Sequence, residues 1–138
     1  MDASSTAIAR LAEAIGYPAE IPAGARRFTF VVDGNPLEAV EEAGRLRFVK
    51  VLQAGTDAEG ALVRLAGYAT GRILKEEAVF AWDPTLEAPI LWQDVPATAD
   101  GAVLRRFFEV FTASCDWWAA RTVDEPVYSR VPEMMILP

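Results

Sequence analysis

The chain has 138 residues, 52% of them hydrophobic and 24% charged, which suits one globular domain with its own core rather than a disordered segment. Twenty acidic against thirteen basic residues leave a net charge of −7, and the bases come as isolated pairs such as Arg26-Arg27 and Arg105-Arg106; without a basic stripe, nucleic acid and anionic membrane are disfavoured as partners. The absence of histidine excludes Ser-His-Asp and Cys-His catalysis and histidine-based metal sites, and the single cysteine, Cys115, excludes an internal disulfide, as fits a reducing cytosol.

Met1-Asp2-Ala3-Ser4-Ser5 carries neither the basic nor the apolar region of a signal peptide, and no apolar run approaches the roughly 18–20 residues that span a bilayer. A cytoplasmic, unexported protein is the expectation. Ser5 or Ser4 can cap a first helix with Ile8, Leu11 and Ile15 at helical spacing, stopped by Gly16 and Pro18. Arg27 to Val32 then reads as a strand with Phe28, Phe30 and Val32 on one face, and Asp33-Gly34 as its turn. Leu37 to Glu42 returns as a second strand, weakened by Pro36 and three glutamates. Ala43-Gly44 is the next turn, and Arg45 to Leu52 a third strand with Leu46, Phe48 and Leu52 alternating.

Thr56 or Asp57 can cap a middle helix with Leu62, Leu65, Ala66 and Ala69 on one side, ending between Thr70 and Lys75. Gly60, Gly67 and Gly71 weaken it by about 1 kcal/mol each relative to Ala, a cost that close packing against another helix offsets. Glu77 to Trp82 reads as a fourth strand, Asp83-Pro84-Thr85 as a turn, and Pro89 to Gln93 as a fifth. The clearest helix, capped by Thr98 or Asp100, runs to about Arg121 with Leu104, Phe107, Phe108, Phe111, Cys115 and Trp118 on one side. The expectation is thus one α+β domain over residues 1–121, with an antiparallel twisted sheet in the order α-β-β-β-α-β-β-α. Residues 122–138, with three prolines, are expected to form an irregular tail.

The chemistry-bearing residues argue against an enzyme. Glu38, Glu41 and Glu42 lack the spacing of a calcium loop and read as a solvated, edge-protecting strand. Cys115 lies on an apolar stripe with no histidine to activate it, which makes it a buried, inert thiol. Gly55, Gly60 and Gly67 match neither phosphate-binding spacing. The aromatics carry more information. Trp117 and Trp118 lie about 100° apart around a helix, so one packs while the other lies at a groove, at an interface or under the tail; a large aromatic core is the rival reading of all four tryptophans. Trp82 and Trp92 fall on the two strands of one hairpin. The third strand is apolar on both sides, with Leu46 and Phe48 on one and Val49 and Val51 on the other. A sheet covered by helices on one face leaves such a second face for a partner.

With that element order, the chain resembles the CesT/Tir family, the class I chaperones of type III secretion, over residues 5 to about 121. The resemblance is carried by Leu11-Ala12-Glu13-Ala14-Ile15-Gly16, by Ala78-Val79-Phe80-Ala81-Trp82-Asp83-Pro84 and by Ile90-Leu91-Trp92-Gln93-Asp94-Val95-Pro96. Leu104 to Phe111 with Trp117-Trp118-Ala119-Ala120-Arg121 looks like the family's terminal helix. The chain departs from the family in a less leucine-rich middle helix, a missing glycine pair before the fourth strand and a longer tail. The resemblance implies a homodimer formed through the middle helix, with Leu62, Leu65, Ala66 and Ala69 at its interface. It implies a secreted effector as partner, whose unfolded N-terminal segment is held in extended form on patches containing Ile8, Leu11, Phe28, Phe30, Phe48 and Val79. Core burial is the rival reading of each of these. No cofactor is implied. An intracellular adaptor of the same fold without a secretion role is the alternative, and a small-ligand binder lined by Trp82, Trp92 and Trp118 a further one.

Overall fold

Helix α1 (Ala7–Ile15) opens the computed structural model, which describes residues 6–52, 65–67 and 77–128. Its cap is Thr6, whose hydroxyl accepts the Ala9 N–H at 3.2 Å. The serines expected as caps lie outside the described residues. The start is pinned at Ala7 because the carboxylate of Glu41 accepts the Ala7 N–H at 2.9 Å. Gly16 ends the helix in the left-handed conformation (φ 67°), its N–H bonding Glu13 O while the Tyr17 N–H bonds Ala12 O at 2.9 Å. Glycine adopts this conformation without a Cβ penalty, and the pair of hydrogen bonds turns the chain so that Tyr17 reaches the sheet.

Five strands follow: β1 (Arg27–Val32), β2 (Asn35–Glu42), β3 (Arg45–Val51), β4 (Val79–Asp83) and β5 (Ala88–Pro96). They form one antiparallel sheet in the order β1-β2-β3-β5-β4. Between β3 and β4 the middle helix, α2, is described at residues 65–67. The last helix, α3 (Gly101–Tyr128), completes the α-β-β-β-α-β-β-α order. Asp100 is its cap, with Oδ1 accepting the Val103 N–H at 2.9 Å. It runs past Arg121, where the sequence suggested a tail, because nothing between Thr122 and Glu125 breaks a helix and the first proline comes only at Pro126. Residues 129–138 lie outside the described residues.

Strand β2 begins at Asn35, two residues before the start expected at Leu37, and so includes Pro36. Glu41 N–H bonds Arg26 O at 2.7 Å, and Arg27 faces Val40 in the register. Every second residue therefore bonds across this pair, and Pro36, opposite Val31, is not among those that do. Pro36 faces the β3 side, where the ladder covers only Glu38–Glu42, so its missing N–H costs no bond. Its carbonyl takes the Lys50 ammonium at 2.9 Å instead. Ala43 and Gly44, at φ 52° and 76°, make the tight turn between β2 and β3.

The residues cluster into two compact units, Met1–Lys50 with Trp92–Ala113 and Val51–Leu91 with Ser114–Pro138. The first has an aromatic core: Phe30 and Phe48 each lie 5.6 Å from Phe108, and Phe48 is 5.6 Å from Phe111. Ile8, Leu11, Leu37, Ala39, Leu46, Val95 and Leu104 are buried with them. In the second unit Leu52, Leu65, Leu91, Cys115 and Trp118 are buried, and Phe80 stacks on Trp118 at 5.2 Å.

Candidate functional site

Strand β1 is an edge of the sheet. The alternation that bonds Phe28, Phe30 and Val32 to β2 turns the backbone groups of Arg27, Thr29 and Val31 outward. The Tyr17 hydroxyl accepts the Val31 N–H at 3.0 Å, which closes one end of the edge. Tyr17 is held there by Phe28 and Phe30, its ring meeting theirs edge-on at 5.8 and 4.9 Å. Among the described residues, none bonds the outward backbone groups of Arg27 and Thr29. Phe28 is half-buried, Thr29 exposed and Val31 51% exposed. The edge therefore offers backbone donors and acceptors flanked by an aromatic on one face and a valine on the other, which is what an incoming strand uses.

The second feature of this unit is the face of β2, β3 and β5 turned away from the core. Arg47 grips Asp94 through two hydrogen bonds of 2.6 and 2.9 Å and lies 4.2 Å over the Trp92 ring. That hydrogen bonding holds the Asp94 carboxyl below its usual value, against the opposing effect of partial burial, and raises Arg47. Val40 and Val49 are half-buried beside it. Glu41, read from the sequence as a solvent charge, instead turns inward with Leu37 and Ala39. There it accepts the Ala7 N–H and pairs with Arg26 at 3.2 Å. The free N–H groups of a helix start favour a carboxylate.

The same unit contains a cleft of about 820 Å³ beside α1 and the first half of α3. The helices approach closely at Ala14 and Gly101, where an added Cβ on the glycine would sit 3.3 Å from the Ala14 Cβ. Arg10, Glu13, Arg105, Arg106 and Val110 line it with Ala14. In the second unit Val79 is 42% exposed on β4, and Leu86 is 56% exposed in the turn after it. Asp83 fixes that turn by accepting the N–H groups of Thr85 and Leu86 at 2.8 and 3.1 Å. Trp117 is half-buried under Arg121, which lies 3.6 Å over its ring.

The residues singled out from the sequence fall into distinct places. Ile8, Leu11, Phe30 and Phe48 are fully buried, whereas Phe28 and Val79 keep surface. Leu65 is buried and Ala66 exposed; Leu62 and Ala69 lie outside the described residues. Of the tryptophans proposed to line a small-ligand pocket, Trp118 is buried in the second unit and Trp92 lies under Arg47 on the first. Neither residue lines the cleft beside α1. Sequence reasoning missed Tyr17, although an aromatic directly after a helix-stopping glycine is a legible signal. It also missed Thr29, whose role depends on β1 being an edge.

No family model matches the chain, and no curated relative matches it. Solved structures do. A chain of the HopA1–SchA chaperone–effector complex matches with a TM-score of 0.61 at 15% identity, over 80% of this chain and 88% of that one. A chain of the ExoT–SpcS complex from Pseudomonas aeruginosa gives 0.62 at 18%, over 81% and 93%. A chain of the ExsC–ExsE complex gives 0.64 at 18%, over 87% and 96%. At such identities the likeness is one of fold, and the fold is that of the class I type III secretion chaperones.

Proposed function

We propose that this chain is a non-catalytic cytoplasmic chaperone that holds the N-terminal segment of a type III secreted effector, keeping it soluble and competent for export. The observation that carries this reading is the edge of β1, where outward backbone groups of Arg27 and Thr29 stand between Phe28 and Val31. An extended segment adds there as a strand, and its alternate side chains meet the aromatic on one side and the valine on the other. Val79 provides apolar surface on the second unit. Ile8, Leu11, Phe30 and Phe48 support the contact surface from beneath. The fold shared with chaperone–effector complexes supports the same partner class. Holding of this kind draws its free energy from apolar burial and backbone hydrogen bonds, offset by the ordering of the segment, and needs no nucleotide.

The working form is a homodimer built through the middle helix, with Leu62, Ala66 and Ala69 at the interface and Leu65, buried in its own chain, supporting them from beneath. Two copies present two β1 edges, so one long segment can be held at both. The net charge of −7 keeps such an assembly soluble. The test is affinity purification of the tagged chain from its source cells under secreting conditions, with mass spectrometry of what co-purifies. The expected result is one dominant partner bound by two copies through a protease-protected segment near its N-terminus. A folded partner held by a single copy would replace the chaperone by an adaptor of the same fold.

A further inference from the structure

The cleft beside α1 and α3 is charged opposite to the chain that carries it. Arg10, Arg105 and Arg106 line it against Glu13 and Glu109, an excess of positive charge in a chain whose net charge is −7. Arg105 is paired with Glu109 at 3.0 Å, and both are more than half exposed. Arg10 is turned onto the loop before α3, where it donates to the carbonyls of Ala97 and Ala99. Arg106 is exposed, and among the described residues no ion pair engages it. Apolar surface lies beside these charges, with Val110 47% exposed and Ala14 half-buried.

We infer that this cleft docks an acidic, amphipathic stretch of polypeptide, its carboxylates on Arg105 and Arg106 and its apolar side chains on Ala14 and Val110. Guanidinium forks suit carboxylates because they bond them in pairs. A volume of about 820 Å³ admits several side chains rather than a single small ion. The inference rests on the chaperone reading for its occupant: the stretch belongs to the captured partner, at a place separate from the β1 edge. The net charge of −7 opposes an acidic partner over the chain as a whole, so binding depends on this local excess of arginine and weakens as salt screens it.

The test uses the full chain and a labelled synthetic peptide in which glutamates alternate with leucines at helical spacing, read by fluorescence anisotropy. A lysine-for-glutamate counterpart is the control peptide. The double variant Arg105→Glu/Arg106→Glu is compared with Arg45→Glu/Lys50→Glu, which changes the net charge equally on β3, away from both the cleft and the β1 edge. The expected result is an affinity lowered roughly tenfold or more in the first double variant and within about twofold of the parent in the second. Val110→Asp should also weaken binding, and raising salt from about 50 to 300 mM should weaken it in the parent chain. Arg45, Arg105, Arg106 and Val110 are exposed and Lys50 is half-buried, and unchanged thermal melting confirms that folding is retained. Equal binding of the glutamate and lysine peptides, or full affinity in the Arg105→Glu/Arg106→Glu variant, overturns the inference. A chain that captures an N-terminal segment yet gives equal affinities loses this cleft and keeps the chaperone reading. One that binds the acidic peptide at the cleft and captures no such segment does the reverse.

Discussion

Phe30 and Val31 are neighbours in β1 and stand at opposite ends of exposure, 0% and 51%. The same division runs through the meander. Phe30, Leu37, Ala39, Leu46 and Phe48 turn inward and are closed to water, while Thr29, Val31, Arg45 and Arg47 turn outward. One face makes the fold, since its rings meet Phe108 and Phe111 of α3. The other is free to vary without touching that core. Its valines are interspersed with charges, Arg27 near Glu38 and Arg47 on Asp94. Charges on an exposed edge discourage indiscriminate pairing with other strands, while the valines and Phe28 leave room for a chosen one. The contrast separates residues that set stability from those that set binding.

The widest separation is expected at Phe48. Phe48→Ala should cost about 3–5 kcal/mol by leaving a cavity against Phe108 and Phe111, read as a lowered midpoint in urea unfolding. Glu41 comes next, because it is the charged member of the inward row. Glu41→Ala removes the acceptor of the Ala7 N–H and the partner of Arg26, at a cost of about 1.5–3 kcal/mol. Glu42→Ala, at an exposed neighbour, should stay within about 0.5 kcal/mol. Equal effects of the two would erase the distinction between the faces in β2.

Asp94 sharpens the comparison from the outer side. Its folded carboxyl titrates below its ordinary value because Arg47 hydrogen-bonds the charged form. The stabilisation is therefore complete above the unfolded value near pH 4 and is lost as pH falls through the lower, folded value. With Arg47 half exposed, the pair contributes about 0.2–1 kcal/mol. Asp94→Asn should be less stable than the parent at pH 6 by that amount, and the two should converge in acid. The change should also alter Trp92 fluorescence, since Arg47 lies over its ring. The smallest effect on stability is expected at Val31→Thr, within about 0.5 kcal/mol, while partner capture weakens measurably in a pull-down. A large loss of stability there would place Val31 with the inner face.

Much of this organisation was legible. Asp33-Gly34 and Ala43-Gly44 marked both turns of the meander, and strict alternation in β3 separated Leu46 and Phe48 from Arg47 and Val49. Gly16 marked the end of α1. Periodicity could not show which apolar residues keep surface, because burial depends on what lies across the sheet. Ile8 and Phe28 look alike in sequence, yet the first is sealed and the second half-open. Pro36 misplaced the start of β2 because its tolerance depends on which neighbour its nitrogen faces. Glu41 was misread because a carboxylate turned inward requires the helix start that receives it, and Ala7 lies far away in sequence. Pairs such as Arg47 with Asp94 join strands separated by the middle helix, beyond the reach of local pattern.

The most direct measurement is amide hydrogen exchange of β1 in the free chain and in its purified complex with the captured segment. In the free chain Phe28 and Phe30 amides, bonded to β2, should exchange slowly and the outward Thr29 amide quickly. On binding, the account predicts that Thr29 becomes protected while Phe28 and Phe30 change little. A Thr29 amide that exchanges as fast in the complex as in the free chain would contradict strand addition at this edge.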